Sequence, residues 1–214
     1  MTKNKPKIVI VDYGVGNLHS LVKAFQFFNA DVSVSEEATI VKAADAVVLP
    51  GVGSFEAGMR GLKVRDLVGV VKESADADKP MLGICLGAQL MLAKGYEFGE
   101  FNGLDIMPGK VVRFPEAKTG DKVPHIGWNS VYAGKEKTWD NSALRNLPQN
   151  FNAYFVHSYI LVPDSKDQIL GLTNYGGYEF CSIMKKGNVY ASQFHPEKSG
   201  TVGLEIIKNF IQSI

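Results

Sequence analysis

The sequence predicts an α/β fold: a central, mostly parallel sheet flanked by helices, with antiparallel strands added in the second half. Three observations predict it. Short β-branched apolar runs alternate with amphipathic stretches through the first half, the pattern of a parallel sheet covered by helices. Each of those runs stops at a turn that carries chemically capable residues. From about Lys110 onward the runs shorten and turns become frequent, which reads as hairpin-rich material.

Taken in order, Lys7 to Val11 reads as a buried strand and Gly14 to Asn17 as the loop after it. Leu18, Leu21, Val22, Phe25 and Phe28 recur at helical spacing. Asp31 to Val34 and Ala46 to Leu49 are the next strands, the latter stopped by Pro50-Gly51. A helix starts near Ser54, with Glu56 in its first turn, where a carboxylate is favourable. Met81 to Ile84 is a fourth strand, followed by a helix carrying Leu86, Leu90 and Met91. Strands are expected at Phe151 to Tyr159, Ile169 to Thr173, Tyr178 to Met184 and Asn188 to Phe194. Leu204, Ile207, Ile211 and Ile214 form the expected apolar stripe of a closing helix, and the polar segment Gly134 to Asn141 reads as an exposed loop. No linker, repeat or low-complexity tract interrupts the chain, so residues 1–214 read as one domain.

Composition excludes some function classes. Across 214 residues, 45% are hydrophobic and 21% charged, and the net charge is +1. No bulk field draws in nucleic acid or a membrane. Two cysteines make no disulfide framework, and a reducing, cytoplasmic setting fits best. The apolar run Ile8 to Val11 is too short for a signal peptide, and no stretch is long enough to span a bilayer.

The sharpest motif is Gly83-Ile84-Cys85-Leu86-Gly87, a Gly-x-Cys-x-Gly turn between a strand and a helix. Such an elbow exposes one nucleophile at a helix N-terminus, where unpaired N–H groups favour a thiolate. His195-Pro196-Glu197 supplies a base and its orienter: in an extended segment, residues two apart share a face. The competing reading is a buried structural Cys85 and a loop histidine, which this pairing disfavours. Pro50-Gly51-Val52-Gly53 lets the Val52 peptide turn toward an oxyanion. With the Leu86 N–H it would make a two-donor hole, against the plainer reading of a simple turn. A dinucleotide fingerprint fails, because the third glycine position is His19. His19, His125, His157 and His195 lack zinc-type spacing, so no metal or cofactor is expected.

Gly83 to Gln89 and Gln193 to Gly200 resemble the two signatures of triad (class I) glutamine amidotransferases. More narrowly, Val9 to Leu18, Pro50 to Phe55, Val123 to Asn129 and Tyr154 to Tyr159 resemble the glutaminase subunits of imidazole glycerol phosphate synthases. The resemblance implies a flavodoxin-like sheet and hydrolysis of L-glutamine to glutamate and ammonia. In it Cys85 is the nucleophile, His195 the proton carrier and Glu197 its orienter. It places Gln89 and Glu97 at the glutamine head group, with backbone near Gly53, Ser158 and Tyr159. It further implies a (β/α)₈-barrel cyclase as heterodimer partner, which takes up the ammonia in histidine biosynthesis. Asn17, Trp128, Asn129, Tyr154 and Lys198 then fall at that interface. Ala88 replaces a common methionine, and no second aromatic follows Tyr159. These departures keep open a paralogue that feeds ammonia to a surface sugar. A cysteine hydrolase of the same fold and an inactive scaffold are weaker alternatives, opposed by Gln89 and by the intact Cys85, His195 and Glu197 set.

Overall fold

The computed structural model describes residues 5–16, 18–115, 120–134 and 138–214. The expected interface residue Asn17 and part of the Gly134 to Asn141 segment lie outside them.

The first half alternates strand and helix: β1 (Lys7–Val11), α1 (Leu18–Gln26), β2 (Asp31–Ser35), α2 (Ala38–Ala43), β3 (Ala46–Leu49), α3 (Phe55–Val64), α4 (Leu67–Asp76), β4 (Met81–Ile84) and α5 (Leu86–Leu90). Strands then dominate: β5 (Leu92–Gly95), β6 (Phe101–Asn102), β7 (Met107–Arg113), β8 (His125–Tyr132), β9 (Asn150–His157), β10 (Tyr159–Pro163), β11 (Ile169–Tyr175), β12 (Tyr178–Lys186) and β13 (Val189–Ser192). The helix α6 (Gly200–Ile211) closes the chain.

These strands form one sheet with the order β2-β1-β3-β4-β13-β12-β10-β7-β5-β6, and β11, β8 and β9 branch from β12. The stretch β2-β1-β3-β4-β13 is parallel throughout. The pairs β13-β12, β12-β10, β10-β7, β12-β11, β11-β8 and β8-β9 are antiparallel.

The parallel strands β1, β3, β4 and β13 are buried on both sides because their side chains alternate between two cores, while β2 is an exposed edge. Val9, Val11, Val47 and Leu49 face α2 to α5, packing with Val41, Phe55, Leu62, Val71 and Leu90. Ile8, Ile10, Val48 and Leu82 face the other way, toward Phe25 of α1 and Phe210 of α6. Those two rings meet edge to face, with centroids 6.3 Å apart. Each such aliphatic side chain contributes about 1.5–3 kcal/mol by leaving water, before chain entropy is set against it.

Three expectations need correction. In the closing helix the buried apolar positions are Ile206, Ile207 and Phe210. Leu204 is only half-buried, and Ile214 lies beyond the helix and is exposed. The expected stripe therefore holds at Ile207, lies at the rim of the core at Leu204 and Ile211, and fails at Ile214, while the deepest contacts come from Ile206 and Phe210. The described part of Gly134 to Asn141 is not simply an exposed loop. Trp139 is 1% exposed, donates its indole N–H to the Leu170 carbonyl at 2.8 Å and packs edge-on against Phe151. Finally, the helix after Cys85 stops at Leu90, and β5 follows almost at once.

Candidate functional site

The neighbouring strands β1, β3, β4 and β13 all run the same way, so their C-terminal ends line up along one edge. Tyr13, Gly51, Cys85 and His195 sit just past those ends. Parallel topology is what gathers segments so far apart in sequence.

The Cys85 elbow is built by close backbone approach. A Cβ on Gly87 would fall 1.7 Å from the Leu49 carbonyl oxygen, and one on Gly83 would fall 2.8 Å from the Ala88 Cα. Cys85 itself is held at φ 52 and ψ −110, a conformation that costs a non-glycine residue about 1–3 kcal/mol. Its N–H donates to the Ser192 carbonyl at 2.7 Å, which ties the elbow to β13. The helix α5 behind it has only five residues, so its dipole is short.

Against the Cys85 sulfur stands the imidazole of His195. His195 Nδ1 lies 2.8 Å from Glu197 Oε1, and both side chains are buried. Burial by itself lowers the pKa of His195, but the Cys85 sulfur on one side and the Glu197 carboxylate on the other outweigh it and raise it to about 9. The buried Nε2 makes no hydrogen bond of good geometry. The expected contact of His195 with Glu197 is therefore present, but for a different reason. The strand has ended at Ser192, and a single 3-10 turn, Pro196–Lys198, folds the carboxylate back onto the ring. Ser199, to which the sequence pattern assigns no role, fixes this turn. Its hydroxyl donates to the His195 carbonyl at 2.6 Å and accepts from the Tyr154 N–H at 3.0 Å.

The two expected oxyanion donors meet in a revealing way. The Leu86 N–H donates to the Gly51 carbonyl at 3.3 Å. In a trans peptide unit C=O and N–H point in opposite directions, so the Val52 N–H faces away from Leu86. The same turn is pinned from below by the buried Tyr13 hydroxyl, which donates to the Pro50 carbonyl.

A cavity of about 310 Å³ opens over Cys85. Its lining includes every expected hole and pocket residue: Val52, Gly53, Leu86, Gln89, Glu97, Ser158 and Tyr159. Pro124, Val156 and His157 also line it, which the sequence pattern does not indicate. Gln89 is 5% exposed and donates Nε2–H to the Tyr159 carbonyl at 3.2 Å and to Gln193 Oε1 at 3.1 Å. Its acceptor oxygen is the part of this amide left for a ligand. One oxygen of Glu97 accepts the Phe55 N–H at 2.7 Å, which satisfies an otherwise orphan donor at the start of α3.

Trp128, Tyr154 and Lys198 gather on one face. Trp128 is 58% exposed and meets Tyr154 edge to face at 6.1 Å, while the Lys198 ammonium lies 5.9 Å from the Tyr154 ring centre. Ordinary core packing is thereby excluded for Trp128. Asn129, half-buried beside it, donates to the Asn174 carbonyl at 3.0 Å.

A metal is not suggested by the described residues, among which no group of three or more His, Cys, Asp or Glu side chains is placed to hold one.

With this geometry in place, residues 9–214 match the family model for class-I glutamine amidotransferases. The chain belongs to the class-I glutamine amidotransferase family. Among curated relatives, it is 45% identical over 209 residues to imidazole glycerol phosphate synthase subunit HisH 1 of Legionella pneumophila (strain Paris), covering 96% of this chain and 98% of that one. It is 42% identical to the HisH subunit of Chlorobaculum tepidum, covering 96% and 99%. Solved structures share the fold at low identity. A glutamine amidotransferase matches with a TM-score of 0.72 at 16% identity, covering 95% of this chain and 97% of that one. A glutamine amidotransferase of Thermotoga maritima matches with a TM-score of 0.64 at 17% identity, covering 98% and 82%.

Sequence reasoning alone gives no role to three residues in or next to the cavity. Gln193 stands inside one of the two signature segments without an assigned role, although its Nε2 lies 3.8 Å from Cys85 Sγ. His125 and His157 invite only a test for zinc spacing. They sit 32 positions apart, and only the direct cross-strand register of β8 and β9 makes them partners.

Proposed function

We propose that this chain is the glutaminase subunit of an imidazole glycerol phosphate synthase, working as one domain with a (β/α)₈-barrel cyclase. One observation carries the reading: the elbow Cys85 and the Gln89–Glu97 wall line one cavity, and the buried His195–Glu197 pair stands against the Cys85 sulfur. The names of the relatives support the choice within the family.

Glutamine binds with its amino-acid head toward Gln89 Oε1 and the free oxygen of Glu97, assisted by backbone at Gly53, Ser158 and Tyr159. Its carboxamide then lies over Cys85. The thiolate attacks the carboxamide carbon, forming a C–S bond while the C=O π pair moves onto oxygen. His195 gives its proton to the departing nitrogen, the C–N bond breaks, and ammonia leaves a glutamyl thioester. Water then attacks the thioester, His195 takes its proton, and glutamate and the Cys85 sulfur are released. Glu197 keeps the imidazole oriented through both steps.

The negative oxygen needs the N–H groups of Leu86 and Val52. The Gly51 carbonyl occupies the first, and the second faces away. Turning the Gly51–Val52 peptide frees one donor and supplies the other. Docking of the partner on the Trp128, Asn129, Tyr154 and Lys198 face, extended by Asn17, drives that turn and receives the ammonia. One such donor is worth about 100- to 1,000-fold in rate.

The expected result is weak glutamine hydrolysis by the free chain and a gain of at least about 100-fold with the loaded barrel subunit. Equal turnover with and without it, at saturating glutamine, sinks the coupling. Cys85→Ala should abolish glutamine use while the complex still forms imidazole glycerol phosphate from ammonium salts. A complex that makes no such product from ammonium assigns the nitrogen to another acceptor, such as a surface sugar.

A further inference from the structure

Beneath the cavity runs a chain of hydrogen bonds whose polarity is forced at every link. The Tyr159 carbonyl can only accept, so His157 Nδ1, 2.9 Å away, carries a proton. His157 Nε2 is then a lone pair, and the proton between the rings belongs to His125 Nδ1, at 3.0 Å. His125 Nε2 accepts in turn from the Asn129 amide at 3.3 Å. That amide cannot flip. Its Nδ2 also donates to the Asn174 carbonyl, and its Oδ1 accepts the Ser130 N–H at 2.7 Å. A second proton on either ring would set two N–H groups face to face. Both imidazoles are therefore neutral and both are Nδ1–H, the minor tautomer of free imidazole. Packing holds the first ring in line, because His125 is sandwiched between Phe155 and Tyr175 with centroids 4.8 and 3.9 Å away.

The chain ends on the glutamine pocket. The Tyr159 carbonyl has two lone pairs, and His157 and Gln89 each fill one. Gln89 Nε2 continues to Gln193 Oε1, and Gln193 approaches Cys85 only through a long 3.8 Å contact. Neither His195 nor Glu197 belongs to the chain. Its other end, Asn129, emerges next to exposed Trp128.

We propose that His125 and His157 are positioning residues for glutamine: a tautomer-locked pair that, anchored by Asn129, holds the Tyr159 carbonyl and through it the Gln89 amide in the orientation that leaves Gln89 Oε1 facing the head group. This rests on the glutaminase reading above. The pair acts on binding of the head group and not on the reacting atoms, so its loss raises KM and leaves kcat nearly unchanged. It also gives Asn129 an effect on glutamine affinity from the far end of the chain.

The test uses the full chain with its barrel partner. His125→Phe keeps the aromatic stack and removes both polar atoms; Asn129→Ala removes the anchor and also one residue of the docking face, so it is read by KM alone, at saturating partner. His125→Phe should raise the KM for glutamine about tenfold with kcat within about threefold, and Asn129→Ala should raise it less. The double variant should resemble His125→Phe alone, because both lie on one chain. A fall in kcat at unchanged KM for His125→Phe, or an unchanged KM in both variants, overturns the proposal; if His125→Phe does not fold, the KM of Asn129→Ala at saturating partner decides. Nitrogen-15 imidazole spectra of the wild-type chain add a readout independent of activity. Nδ1–H on both His125 and His157 is expected, and Nε2–H on either overturns the relay. Should the wild-type complex hydrolyse no glutamine, the functional reading fails, and the tautomers still decide the relay.

Discussion

The two halves of the sheet build the same site by different means. The parallel half, β2-β1-β3-β4-β13, contributes backbone: tight turns at strand ends, an elbow under strain and a carbonyl lodged against an N–H. The antiparallel half, reached through β12 and β10, contributes side chains: the pocket wall at Val156 to Tyr159, the imidazole pair and the exposed aromatic face. A parallel strand end can present only the few residues of its own turn. Antiparallel neighbours place residues directly opposite one another, so pairs such as His125 and His157 arise from register.

Substituting glycines gives the largest test of this contrast. Gly87→Ala sets a Cβ 1.7 Å from a backbone oxygen, so it should cost at least ~4 kcal/mol or prevent folding, read as the midpoint in urea. Gly127→Ala in β8 meets no atom within 4 Å and bears only the strain of φ 133, about 1–3 kcal/mol. Equal losses at the two positions would mean that the elbow is not held by close backbone approach.

Acid provides the next test, with the sign set by the imidazoles. Burial, aided for His157 by the neighbouring His125 ring, lowers the pKa of His157 to about 3 and that of His125 to about 4. Below the ordinary value of 6.5 the unfolded chain takes up protons that the folded chain refuses. Their contribution is therefore complete above 6.5 and declines as pH falls toward 4, by at most ~1.4 kcal/mol per pH unit for each ring. His195 behaves in the opposite sense: its raised pKa contributes below 6.5 and is lost as pH rises through about 9. Urea midpoints should fall on both sides of neutrality, and His125→Phe should flatten the acid side alone.

The smallest effect on stability belongs to the exposed face. Trp128→Ala should shift the urea midpoint by no more than about 0.5 kcal/mol, because the indole is mostly in water. The same change should weaken binding of the barrel subunit by about 2 kcal/mol, measured by calorimetry. A large loss of stability with unchanged binding would make Trp128 part of the fold instead of an interface.

The parallel half was legible because its signals are local. Apolar runs such as Ile8 to Val11 and Ala46 to Leu49, bounded by Gly and Pro, mark both the strand and the turn where chemistry sits. Gly-Ile-Cys-Leu-Gly announced the elbow for the same reason: the glycines that permit it flank Cys85 in sequence. The contact of Glu197 with His195 was expected from strand alternation and is made by a turn, since either geometry brings residues two apart together. Less was legible where burial is decided at a distance. Trp139 lies in a polar stretch and is covered by Phe151 and β11, which no local pattern reports. In α6 the apolar residues outnumber the positions on one face, so only packing against α1 and the sheet chooses among them.

The sequence by itself determined the alternation of strand and helix, the elbow that carries Cys85, the pairing of His195 with Glu197, and the glycines that let two turns bend. Those properties depend on neighbours along the chain. Tertiary structure alone decided that the Gly51 carbonyl occupies the Leu86 N–H, that Gln193 approaches the sulfur, and that two histidines 32 positions apart join one chain of hydrogen bonds to the pocket. Those depend on strand register and peptide orientation, which are set by the whole sheet.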